Sequence, residues 1–216
     1  MSVRVPLSES ARAARRLGVL GGSFDPPHLG HLHAARAARA AFELEHVLFV
    51  PASHPPHKPG RTLAAAGERL AMLELLLEGE PWTSVWDAEL VRPGPSYTID
   101  TLCELRTKIA PEARLFLVLG HDNLSGFVRW RDVERIVLLA QPIVVQRRGE
   151  ELPGAALARL SRGARTRIEI GTLAVQAFDA SSSELRQRLA RGEAPDASLP
   201  PRLRDHLVAR TLYRSR

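Results

Sequence analysis

The sequence predicts an α/β protein, a Rossmann-like doubly wound parallel sheet with a small C-terminal helical portion. Three observations carry this. Short apolar runs recur along the chain, several of them stopped by glycine or proline. Amphipathic stretches of helical period separate them, the order expected of parallel β-α units. The chain has 216 residues, 44% hydrophobic and 25% charged, enough to bury a full core of ordinary globular composition. With no internal repeat and no low-complexity linker, residues 17–216 are expected to form one domain.

Residues 1–16 lack the apolar segment of a secretory signal and are expected to be a flexible extension. Residues 17–20 read as a first strand that feeds a tight turn at Gly21 and Gly22. A helix follows from His31, with Arg36 and Arg39 on its wet side. Residues 47–50 form a second strand, stopped by Pro51. The stretch "PASHPPHKPGRT" holds four prolines and is neither helix nor central strand. Residues 67–77 read as an amphipathic helix and 83–86 as a short strand. "VRPGPS" breaks the chain before a helix over 97–109. Residues 115–119 make a strongly apolar strand ended by Gly120, and 133–139 look helical. A strand at 143–146 precedes a polar stretch to Arg167, with short strands at 168–170 and 173–178. Helices over 182–190 and 201–207 close the chain.

Composition excludes several classes. One cysteine, Cys103, rules out an internal disulfide and a thiolate zinc cage, and a reducing cytoplasm is the expected setting. No apolar run approaches the length needed to span a bilayer, so no membrane partner is expected. Net charge is +6 and favours anionic partners, yet 28 of the 30 basic residues are arginines scattered along helix faces. With only 5% aromatic residues, a stacking platform for nucleic acid is not expected. Oligomeric state stays open, a homo-oligomer included.

The densest chemistry lies in "GGSFDPPHLGH", residues 21–31. It follows the first strand, where open α/β sheets bind ligands. Gly21 and Gly22 allow close backbone approach, and the helix start near Gly30 offers unpaired N–H groups to a phosphate. His28 and His31, three residues apart, face one side there. The pattern is neither G-x-G-x-x-G nor a P-loop. A metal site on His28, His31 and His33 is the weaker reading, since no carboxylate or thiolate is spaced to complete it.

"GGSFDPPHLGHL" resembles the G-x-F-x-P-x-H-x-G-H motif of the nucleotidylyltransferase superfamily, and "DASSSELRQRL", residues 179–189, resembles its I-S-S-T-x-I-R signature. "PPHK", "GPSYTIDTL", "LGHDNLSGFVRW" and the terminal "LYR" narrow the likeness to bacterial nicotinate-nucleotide adenylyltransferases, over nearly the whole chain. The departures are small: Ala180, Ser183 and Leu185 stand where the second signature has Ile, Thr and Ile, and Ser183 keeps the hydroxyl.

The resemblance implies adenylyl transfer from ATP to nicotinate mononucleotide, with loss of pyrophosphate, in NAD biosynthesis. It implies His28, His31 and Arg186 as catalytic residues. Gly21, Gly22, Ser23, Phe24, Lys58, Gly120, Asp122, Ser182 and Ser183 are implied around ATP, and Tyr97, Thr98 and Trp130 around the nicotinate nucleotide. Mg²⁺ is expected to accompany the ATP phosphates, with no protein metal site. Three rivals remain: the same chemistry on nicotinamide mononucleotide or phosphopantetheine, a regulatory module that binds nucleotide without catalysis, and an RNA-binding protein.

Overall fold

The computed structural model describes residues 4–53, 63–176 and 178–214. Its centre is a sheet of six parallel strands: β1 (Arg16–Gly22), β2 (His46–Pro51), β3 (Thr83–Val85), β4 (Arg114–Gly120), β5 (Ala140–Arg147) and β6 (Thr172–Val175). Five helices precede β4: α1 (Glu9–Ala13), α2 (Leu29–Ala41), α3 (Ala66–Leu77), α4 (Ala88–Val91) and α5 (Thr98–Arg106). Then come α6 (His121–Phe127), α7 (Val133–Leu139), α8 (Gly154–Leu157), α9 (Arg162–Ile170), α10 (Ser182–Ala190) and α11 (Pro201–Ala209).

Strand order is β3-β2-β1-β4-β5-β6. The order turns between β1 and β4, and a doubly wound sheet opens its crevice there, beyond the carboxyl ends of the strands. Every residue of β2 is buried, and β1, β4 and β5 are buried through their centres. A sheet covered on both faces requires this. Leu17, Val19, Leu48, Leu117 and Leu119 pack to one side with Ile99, Leu102, Phe127 and Ile136 of α5, α6 and α7. Leu20, Phe49, Phe116 and Val118 pack to the other with Leu32, Met72, Leu185 and Leu203 of α2, α3, α10 and α11. Each such side chain contributes roughly 1.5–3 kcal/mol by leaving water.

Two sequence expectations are corrected. Residues 4–16 are not a loose extension: Leu7, Ala11 and Ala14 are buried in the first layer, and Val5 N–H donates to Asp87 Oδ2 at 2.9 Å. Ser8 caps α1 by accepting from Ala11 N–H at 3.2 Å. Those three apolar residues are spaced like one face of a helix, a pattern hidden by the arginines around them. Residues 168–170 end α9 rather than forming a strand. Ser161 caps that helix, Ile168 is buried and Ile170 is 70% exposed, so the alternating "RIEI" is a helix edge.

The C-terminal helical portion is α10 and α11. It is no separate lobe, because Leu203 and Leu207 fill the same layer as α2, and Glu68 of α3 pairs with His206 and Arg210. Among the described residues no helix is long and apolar enough to cross a membrane.

Candidate active site

β1 delivers Gly21 and Gly22 to the carboxyl edge of the sheet, and residues 23–27 turn the chain into α2. Phe24 adopts a left-handed backbone (φ 49°) and is 1% exposed. Its ring lies against Gly22, where an added Cβ would come within 3.1 Å, and edge-on to His31 at 5.1 Å between centroids. Gly22 therefore makes room for Phe24, while Gly21 is exposed and open to a ligand.

His28 is the N-cap residue of α2, and its ring sits 3.8 Å from that of His31. A Cβ on Gly30 would lie 2.8 Å from His28 Nδ1, so the imidazole rests on the space that glycine leaves. His28 is 8% exposed, and its Nδ1 is buried without a hydrogen-bond partner. Burial lowers its pKa from 6.5 to about 4, which keeps the ring neutral at physiological pH. His31 Nδ1 accepts the His28 backbone N–H at 3.1 Å. That bond places the N–H of a neutral His31 on Nε2, and the residue is half-exposed.

Helix α10 meets this turn directly. Arg186 Nη1 donates to the Asp25 carbonyl at 2.6 Å, and Ser182 Oγ donates to the Pro26 carbonyl at 2.8 Å. Two segments more than 150 residues apart thus share one edge of the sheet. Ser181 is the N-cap of α10. Ser183 is exposed and accepts from Arg186 Nη2 at 3.0 Å. The two serines differ: Ser182 spends its proton on the turn, whereas Ser183 and Arg186 form the outward part.

Beyond the neighbouring strand, Gly120 is the N-cap of α6 and Asp122 is exposed in that helix's first turn. Tyr97 is the N-cap residue of α5 and Thr98 opens that helix, whose first N–H groups have no intrahelical acceptor. Trp130 is half-buried, edge-on to Phe127 at 5.1 Å. Both Tyr97 and Trp130 pack on the layer opposite to α2 and α10. Lys58 lies outside the described residues. His33 turns to Phe178, with ring centroids 5.5 Å apart, and leaves the pair. Among the described residues no cluster of three or more His, Cys, Asp or Glu can hold a metal ion.

Four residues escaped the sequence. Asp25 is 1% exposed, and its Oδ1 accepts from Ala64 N–H at 3.0 Å and Tyr213 Oη at 2.7 Å. Arg69, 2% exposed, donates through Nη1 to the carbonyls of Ser23 (2.8 Å) and Ala52 (2.7 Å). Burial lowers its pKa, and the Asp25 charge opposes that shift. Arg131 lies 5.0 Å over the Tyr97 ring. The "FDP" and "LYR" letters flagged Asp25 and Tyr213 only as parts of a likeness; nothing in the sequence marked Arg69.

The cytidylyltransferase-like family model matches residues 19–188. A relative from Thermomicrobium roseum, named "probable nicotinate-nucleotide adenylyltransferase", is 36% identical over 93% of this chain and 92% of its own. One of the same name from Chromohalobacter salexigens is 38% identical over 94% of this chain and 97% of its own. Among solved structures, the Plasmodium falciparum nicotinic acid mononucleotide adenylyltransferase complexed with NaAD superposes with a TM-score of 0.66 at 17% identity, covering 92% of this chain and 97% of that one. That likeness shows the fold; the sequence relatives show more. The chain belongs to the cytidylyltransferase-like family and, within it, to the nicotinate-nucleotide adenylyltransferases.

Proposed function

We propose that this protein joins ATP and nicotinate mononucleotide. A phosphate oxygen of the mononucleotide attacks the α-phosphorus of ATP; the bond from that phosphorus to the α,β-bridging oxygen breaks, and pyrophosphate leaves with nicotinate adenine dinucleotide formed. The observation that carries this reading is the hydrogen-bonded junction of the 21–31 turn with α10, which sets two imidazoles and a guanidinium at the carboxyl end of β1.

The attacking phosphate is largely ionised near neutral pH, its second pKa being about 6, so the step needs no general base. Two polyanions must be aligned and the charge on the α-phosphoryl group neutralised. His31 Nε2–H, the α2 N-terminus and Arg186 with Ser183 offer donors for that charge. His28 packs on His31 and supplies the backbone N–H that fixes its tautomer. A magnesium ion brought with ATP would add positive charge beside the phosphates. Imidazole, guanidinium and N–H donors suit phosphate oxygens, so the ion would be held by phosphates and water.

For the second substrate, the N–H groups that open α5 at Thr98, the Tyr97 ring and Trp130 form the nicotinate side. N–H donors and the neighbouring Arg131 favour a ring carboxylate over a carboxamide. Pyrophosphate release with ATP and each of nicotinate mononucleotide, nicotinamide mononucleotide and phosphopantetheine tests the reading. The acid is expected to give the highest kcat/KM; preference for the amide would sink the assignment of Tyr97 and Thr98. With His31→Ala, kcat should fall about 10²–10³-fold, with a small change in KM for ATP.

A further inference from the structure

Beneath the catalytic turn lies a buried polar cluster centred on Asp25 and Arg69. Asp25 Oδ1 receives the Tyr213 hydroxyl at 2.7 Å across 188 residues of chain. The same oxygen receives Ala64 N–H, and Arg69 Nε donates to the Ala64 carbonyl at 3.1 Å. Through Nη1, Arg69 also holds the Ser23 and Ala52 carbonyls, the latter just beyond β2. The backbone carbonyl of Asp25 meanwhile takes Arg186. Tyr213 itself is held in a left-handed conformation (φ 65°), as is Thr211 (φ 47°). Non-glycine residues stay in that region only when their surroundings enforce it. Leu203 and Leu207, both buried, anchor the helix before them.

We propose that Tyr213, Asp25 and Arg69 act as positioning residues, with the end of the chain serving as a strut that fixes residues 23–28 and Arg186 in reactive register. The inference rests on the adenylyl-transfer reading for its kinetic consequence and on the structure alone for its mechanical one. Tyr213 Oη and Ala64 N–H both hold the buried Oδ1 of Asp25, and Arg186 holds its backbone carbonyl, so the residue is fixed at both its side chain and its main chain. Burial and Asp25 both push the Tyr213 phenol above its ordinary value, so it remains a donor throughout the working pH range. Because Asp25 carries Arg186 on its main chain and Tyr213 on its side chain, loss of the phenolic O–H should be felt at the guanidinium.

Tyr213→Phe in the full chain is the direct test, since it keeps the ring and removes one donor. kcat should fall at least tenfold, while KM for ATP stays within about threefold. The Tyr213→Phe/Asp25→Asn double variant should be no slower than Asp25→Asn alone, because both remove the same support. Amide hydrogen exchange without substrates supplies a readout independent of turnover. In Tyr213→Phe, exchange should rise over residues 22–31 as well as 200–214.

Unchanged kcat together with faster exchange confined to residues 200–214 would show that Tyr213 merely pins the C-terminus, and the proposal would fall. If Tyr213→Phe does not fold, Asp25→Asn decides by the same two readouts. If the wild type turns over none of the three acceptors, the adenylyl-transfer reading fails, and exchange alone still judges the strut.

Discussion

At His28 an ionisable ring sits almost out of water, with one nitrogen unpartnered. Burial holds its pKa near 4 in the folded protein, against 6.5 in the unfolded chain. Between those values the unfolded state binds more protons, so stability is lost as pH falls through the window from 6.5 towards 4. The full gap is worth roughly 3 kcal/mol. Urea unfolding of wild type and His28→Asn at pH 7 and pH 4.5 measures it; the variant should lose less stability on acidification. Asp196 and Glu68 are held low by bonds from Ser198 and Arg210 and add acid sensitivity to both proteins, so they cancel in the comparison. Equal losses in the two proteins would mean that the His28 ring is hydrated in solution.

At the scale of one element, α2 owes its first turn to a missing side chain. Alanine at Gly30 would favour the helix by up to about 1 kcal/mol. Yet its Cβ would meet the His28 ring at 2.8 and 2.9 Å and the Ala180 Cβ at 3.5 Å, prising the imidazole from its seat beside α10. Gly30→Ala should therefore keep Tm within a few degrees while kcat drops at least tenfold, and parallel loss of both would point to general misfolding. Gly171, between α9 and β6, sets the opposite case. A Cβ there collides with the Pro142 carbonyl of β5, and Gly171 also accepts from Val144 N–H at 2.9 Å. Gly171→Ala is expected to destabilise by about 3 kcal/mol, read from urea midpoints, with the kcat of the folded fraction unchanged.

Gly30 marks where the sequence was legible, and Gly171 where it was not. "HLGH" announced a helix start with two imidazoles on one side, because capping and helical period are local rules. "SSELR" read by local rules only as a capped helix start, and Ser182, Ser183 and Arg186 were marked through the likeness to the second signature. Local rules could not tell Ser182, which bonds to Pro26, from Ser183, which does not. They were equally blind to Arg69, whose acceptors Ser23 and Ala52 lie 46 and 17 residues away, and to the buried face of residues 4–16. Such pairings exist only once the sheet has assembled.

Across the whole molecule, the sheet sets the residues proposed for the two substrates on its two faces. His31 and Arg186 stand over the layer of α2 and α10, whereas Tyr97 and Trp130 stand over the layer of α5 and α6. On the proposed reading, the substrates meet along the line between β1 and β4, where the strand order turns. Groups that sit in opposite layers of a stiff sheet should act independently, to within about 0.5 kcal/mol. On the proposed reading, Trp130→Ala removes a stacking surface worth roughly 1–3 kcal/mol, so KM for nicotinate mononucleotide should rise by about tenfold or more with kcat little altered. His31→Ala should do the reverse. In the double variant the two losses in kcat/KM should then multiply. A product well short of that would mean that the rings on one face move when the other is disturbed, and β1 and β4 would have to be treated as a hinge between the sites rather than as the fixed wall that aligns them.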